Sequence, residues 1–151
     1  MVQAQPAACA DLDLLISRWR LQRIEVRRLL LLLLSGEVLT FPASEQAQNL
    51  HALCSELVDY ISTGHFEVYG RVLARELRPD AELHALLQHI FYSIGKSTDA
   101  VLAFNDRYQQ GRPAALTNAF RRMLVRLSRA LLLRFALEEQ LLDLGGYTRR
   151  R

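Results

Sequence analysis

A carboxylate, an imidazole and three aromatic rings crowd one short stretch, Leu57-Val58-Asp59-Tyr60-Ile61-Ser62-Thr63-Gly64-His65-Phe66-Glu67-Val68-Tyr69, where a helical pattern runs into Ser-Thr-Gly and resumes. Asp59 falls on the opposite side of its helix from Leu53 and Leu57, beside Ser55 and Ser62, so its charge is open either to a partner or to solvent. His65, Phe66, Tyr69 and, farther upstream, Trp19 are candidates for lining or stabilising the same surface. Such a set suits recognition, because aromatic anchors supply contact area and charges set register.

Other chemistries find less support. The chain has no Gly-rich phosphate loop, no nucleophile elbow and no Ser, His and Asp set that spacing brings together, so neither catalysis nor a small-molecule substrate is expected. His84 and His89 stand five apart rather than four, and no Glu-x-x-His pair occurs. His51 and Cys54 share a helix face, but two ligands make no site, and neither a metal nor another cofactor is expected. Arg122, Arg126 and Arg129, with Arg121 at the edge, form a stripe that could track phosphates. No short helix-turn-helix accompanies it and arginine-rich solvated faces are common, so direct nucleic-acid binding is disfavoured.

Four polar residues lie on otherwise apolar stripes: Arg23 between Trp19 and Val26, Asn105 after Leu102, and Arg134 with Glu138 after Leu127 and Leu131. Either they reach water at an end of the fold or they share one internal hydrogen-bonded cluster, since an unpaired buried charge costs several kcal/mol. Arg134 and Glu138 have the i,i+4 spacing that lets them touch.

The elements that must position these residues are helices. Leu12, Leu15, Ile16, Trp19, Val26, Leu30, Leu33 and Leu34 mark one face of a first helix from Asp11 to Leu34, stopped by Ser35-Gly36. Pro42 lies in a loop and Ser44 caps a second helix over 45–62, buried through Leu50, Leu53, Leu57, Tyr60 and Ile61. Gly64 can take the positive φ that closes it, and Phe66, Tyr69, Leu73 and Leu77 mark a short third helix ending before Pro79 and set at an angle to the second. A fourth, over 80–109, should bury Leu83, Leu87, Ile90, Phe91, Ile94, Val101 and Leu102 before Gly111-Arg112-Pro113, and a fifth runs over 114–144. The pattern is all-α, an up-and-down antiparallel bundle with one short extra helix in a single domain over 1–151, frayed over 1–10 and 145–151.

With 151 residues, half of them hydrophobic, the chain can bury one sizeable core. Its net charge of +3 is too small to select a partner class. Two cysteines, Cys9 and Cys54, make no disulfide framework, so a reducing cytoplasm is the default. The apolar run Leu29 to Leu34 is too short for a membrane span, which needs about 20 residues, and residues 1–10 do not read as a secretion signal.

Four separated segments resemble the Rsd/AlgQ family in the family's own order. They are Arg18-Trp19 with Arg23; Leu57-Val58-Asp59-Tyr60, Ser62, Gly64-His65-Phe66 and Tyr69; Phe104-Asn105-Asp106-Arg107; and Arg134-Phe135 with Leu137-Glu138. Ser17 and Glu139 stand where the family usually has Asp, and the basic balance also departs from it. The resemblance implies a helical bundle that binds the C-terminal domain of the primary sigma factor and keeps it from core RNA polymerase, an anti-sigma activity without turnover. A diverged adaptor for another protein, or a histidine phosphotransfer bundle, would share the architecture; none of the histidines carries the Lys-Gly motif of the latter.

Overall fold

The computed structural model describes residues 6–35, 43–74, 80–109 and 118–147. All its regular elements are helical: α1 (Pro6–Leu34), α2 (Ala43–Thr63), a π-turn (Gly64–Val68), α3 (Tyr69–Leu73), α4 (Ala81–Tyr108) and α5 (Asn118–Leu144). Ser44 lies inside α2, one residue past its start, rather than capping it. Pro42, Leu77, Pro79, the Gly111-Arg112-Pro113 break and the terminal arginines lie outside the described residues.

The four long helices close a ring in which α1 packs on α2, α2 on α4, α4 on α5 and α5 on α1. Their directions alternate. Tyr108 at the end of α4 meets Phe120 at the start of α5, while Ser97 earlier in α4 meets Arg134 later in α5. His51 near the start of α2 reaches the Gln109 carbonyl, and Tyr69, beyond the end of α2, reaches Phe91 early in α4. This is the antiparallel bundle that the 3.6-residue periodicity predicts.

The core is built from those stripes, with Leu12, Ile16, Trp19 and Val26 of α1 against Leu50, Leu53, Leu57 and Tyr60 of α2 and Leu124, Leu127 and Leu131 of α5. On α4 the stripe is Ile90, Ile94, Ser97, Val101 and Phe104. Phe91 and Leu102, expected inside, are exposed, because the inward face is turned toward Ser97 and Phe104; Leu83 and Leu87, earlier on that same face, are half-buried. Asp80 caps α4, its carboxylate accepting the Glu82 amide hydrogen at 3.0 Å. No described helix is long and apolar enough to cross a membrane.

Two glycines depart from expectation. Gly64 does not end α2: Thr63, Val68 and Tyr69 all keep right-handed helical dihedrals, and among the described residues the positive-φ glycine is Gly146, at 85°. One wider turn accommodates an extra residue where α2 passes into α3, a device common at functional sites. Gly64 is closely packed instead: a Cβ there would sit 3.1 Å from Tyr69 Oη and 3.2 Å from Trp19 Cζ2, so those rings would have to give by a few tenths of an ångström.

Of the two segments expected to fray, residues 6–10 and 145–147 are described. Helix α1 already runs from Pro6, a residue that suits a helix start because its missing N–H would have no partner there. At the other end, the Tyr147 amide hydrogen-bonds the Leu142 carbonyl and the Gly146 amide that of Asp143, with Gly146 left-handed. That pairing is a Schellman closure.

Candidate functional site

The polar residues of the stripes meet at Glu138 of α5, which is fully buried. Tyr60, near the end of α2, donates its hydroxyl to Glu138 Oε1 and Tyr69, opening α3, donates to Oε2 at 2.5 Å. Arg134, one turn earlier on α5, donates Nε to Oε2 at 3.3 Å, and Arg23 of α1 brings Nη2 within 3.6 Å of Oε1. One carboxylate therefore ties α1, α2 and α3 to α5.

The two guanidiniums are held from their other sides. Arg134 donates to Thr98 Oγ1 at 2.7 Å, Ser97 Oγ at 3.1 Å and Tyr69 Oη at 3.0 Å, which brings α4 into the network. Arg23 donates Nε to Tyr60 Oη at 2.9 Å and Nη1 to Glu139 Oε1 at 2.5 Å, while its plane lies near Trp19 and Phe135, 5.1 and 5.2 Å from their ring centres. Arg20 closes the outer edge on Glu139. Arg23 Nη2 is the strand of this net without a geometrically good hydrogen bond.

The environment sets the protonation. Burial, reinforced by Glu138, raises both phenols, keeping Tyr60 and Tyr69 as hydrogen donors. Burial also pushes the Glu138 carboxyl above the usual range, against the pull of Arg134, Tyr60, Tyr69 and Arg23. Glu139 goes the other way: burial opposes its charge, but Arg20 and Arg23 outweigh it and hold its pKa down. Burial likewise opposes the charge on Arg23, and Tyr60, Glu139 and Glu138 overcome it.

Trp19 and Tyr69, expected at a partner surface, belong to this interior. Trp19 is 0 % exposed, stacks on Tyr60 with ring centres 5.3 Å apart, and donates its indole N–H to the Tyr60 carbonyl at 3.2 Å. Tyr69 is buried with its hydroxyl on Glu138. Stacking and a satisfied polar tip explain why such rings go inside. Asn105, expected in the cluster, is elsewhere. It is half-buried and donates to Gln109 at 3.5 Å in an open groove of about 470 Å³ that Asp59, His51, Cys54 and Val58 also line.

The surface residues of the turn are Asp59, His65 and Phe66. Asp59 is exposed at the rim of that groove. Phe66 is 80 % exposed with the exposed His65 ring edge-on at 4.8 Å. Among the described residues, His65 is the ring that Phe66 meets, and most of the Phe66 side chain is left open. Among the described residues no three His, Cys, Asp or Glu side chains gather as a metal would need.

Sequence reasoning did not assign Tyr60, Ser97, Thr98, Arg20 or Glu139 to the cluster. Tyr60 was legible only as apolar area. Ser97 had a usable signal, since it continues the spacing Ile90, Ile94, Ser97, Val101, Phe104 as a small polar residue on a buried stripe.

The geometry defines a helical-bundle protein whose charged centre is spent on its own architecture and which exposes Asp59, His65 and Phe66 around one turn. The chain belongs to the Rsd/AlgQ family, described as regulator of RNA polymerase sigma(70) subunit, whose sequence model matches residues 2–144. Relatives named Regulator of sigma D include one from Yersinia enterocolitica serotype O:8 / biotype 1B, 32% identical over 103 residues, covering 68% of this chain and 60% of the relative. Another, from Pectobacterium carotovorum subsp. carotovorum (strain PC1), is 32% identical over 59 residues, covering 39% of each. The match to the Yersinia enterocolitica relative thus spans about 60% of that protein's length. No solved structure matches the chain.

Proposed function

We propose that this protein is an anti-sigma-factor-like regulator of transcription that binds the C-terminal, promoter-reading domain of the primary sigma factor in the cytoplasm. Bound sigma is withheld from core RNA polymerase, and the effect is stoichiometric, without turnover. The observation that carries this reading is the family match over residues 2–144, nearly the whole chain. The exposure of Asp59, His65 and Phe66 around the α2–α3 turn supports it, because basic side chains that sigma would use on DNA are natural partners for an acid beside an open aromatic ring.

The test is titration calorimetry of the purified protein with the primary sigma factor and with its isolated C-terminal domain. Asp59→Ala should weaken binding at least about tenfold, a loss of about 1.4 kcal/mol, with helical circular dichroism unchanged. A folded wild-type protein that binds neither sigma nor the domain ends the proposal; normal binding by the variant removes Asp59 from the interface.

A further inference from the structure

The outward face of α5 carries charge that the bundle leaves uncompensated. Arg121, Arg122, Arg126 and Arg129 are all exposed, and none has an ion-pair or hydrogen-bond partner among the described residues. They surround Val125, itself 36% exposed, in an open groove of about 500 Å³. Arg122, Arg126 and Arg129 follow one another at i,i+4 and i,i+3, spacings at which like charges repel. By contrast, exposed Arg28 of α1 has a counter-charge in Glu25 at 2.7 Å.

The same stripe then changes character. Leu132 and Leu133, one turn beyond Arg129, are each 57 % exposed. From Arg122 to Leu133 the face is about 16 Å long, basic at the α5 N-terminal end and apolar at the other. A phosphate backbone would satisfy the arginines and leave both leucines in water. A partner helix with carboxylates at i, i+3 or i+4, and i+7, followed by apolar side chains, matches both halves, since helix-in-groove recognition uses those anchor positions.

We infer that this face of α5 docks an acidic amphipathic helix of another protein. It is a second surface, separate from the sigma reading: Asp59 lies on α2 and carries the opposite charge, so one basic ligand cannot serve both.

The experiment is fluorescence anisotropy of the full chain with a labelled synthetic helix bearing Glu at the three charged positions and Leu at the two that follow. Its controls are a scrambled peptide of identical composition and a single-stranded oligonucleotide. The ordered peptide should bind at least about tenfold tighter than the scrambled one; R122E/R126E should cost about tenfold or more, and L132S/L133S a further, separable loss. Equal binding of the scrambled peptide, an L132S/L133S variant that binds normally, or tighter binding of the oligonucleotide would each overturn the inference. Because every substituted side chain is exposed, circular dichroism matching wild type is expected throughout, and R126E alone provides a milder check of the charged half.

Discussion

Glu138→Ala should loosen the bundle out of proportion to the four atoms it changes. The carboxylate is fully buried and receives Tyr60, Tyr69 and Arg134, with Arg23 within ion-pair reach. Its loss leaves Arg134, 1 % exposed, facing only the neutral groups Ser97, Thr98, Tyr69 and the Ile94 carbonyl. Breaking a buried pair from one side costs about 3–5 kcal/mol, because the surviving charge stays buried and uncompensated. For a chain near this size each kcal/mol lowers the melting temperature by about 2–4 °C, so a fall of about 6–20 °C is expected. Thermal melts followed by helical circular dichroism measure it. Glu139→Ala is the milder comparison: its side chain is 26 % exposed, and Arg23 would keep Tyr60 and the nearby Glu138, so the fall in melting temperature should be smaller than for Glu138→Ala. The joint change Arg134→Met with Glu138→Leu should cost less than Glu138→Ala alone, as removing both charges leaves nothing stranded. Glu138→Ala melting within about 2 °C of wild type would refute the premise that this ion pair is sealed from water.

Other outcomes follow from the same geometry. Glu138 has a folded-state pKa above its ordinary 4.5, so its contribution is fully present in acid and is lost as pH rises through the raised value. The stability of wild type relative to Glu138→Gln, read from urea melts, should therefore decline from about pH 4 upward, and a flat difference would contradict it. Gly145→Ala should be severe, since a Cβ there would meet Val72 Cγ1 at 2.3 Å and the Val72 carbonyl oxygen at 2.9 Å, and backbone cannot step aside. Gly146→Ala should cost about 1–2 kcal/mol, the strain of a side chain at φ 85°, so chemical denaturation should rank the two variants in that order. Cys54, 2 % exposed with its thiol pushed up to about 11 by burial, should resist a thiol reagent in a Cys9→Ser background until denaturant is added; prompt labelling of the folded protein would show the site to be open.

The helices were legible because each needs only a periodic apolar stripe, and the rows through Trp19, Leu57, Ile94 and Leu131 run inward as their spacing predicts. What periodicity does not encode is which neighbour an inward side chain meets. Arg23 and Asn105 looked alike, each polar on an apolar row, yet Arg23 finds Tyr60 and Glu139 while Asn105 lines a groove, because the inward face of α4 is turned toward Phe104. Ser-Thr-Gly misled for a related reason. Glycine serves either a positive φ or close approach, and only the rings of Trp19 and Tyr69, distant in sequence, decide for the second at Gly64. Trp19 and Tyr69 were expected to line or stabilise a surface because aromatic rings anchor contacts, although their places on apolar stripes pointed inward.

The cluster and the proposed sigma surface are two sides of the same residues' backbone. Asp59 precedes Tyr60, and His65 and Phe66 lie between Gly64, packed under Trp19, and Tyr69, tied to Glu138 and Arg134. Holding the inward members in one geometry fixes the outward ones before a partner arrives, which spares the ordering cost that flexible groups meet on binding. Two classes of variant should then separate. Substitutions at Tyr60, Tyr69 or Glu138 should weaken sigma binding in proportion to the stability they remove, with binding recovering at temperatures where the variant is folded. Substitutions at Asp59 or Phe66 should weaken binding at every temperature and leave the melt unchanged. A Phe66→Ala protein that binds sigma as wild type does would show that the 80 % exposed ring serves no part of that contact.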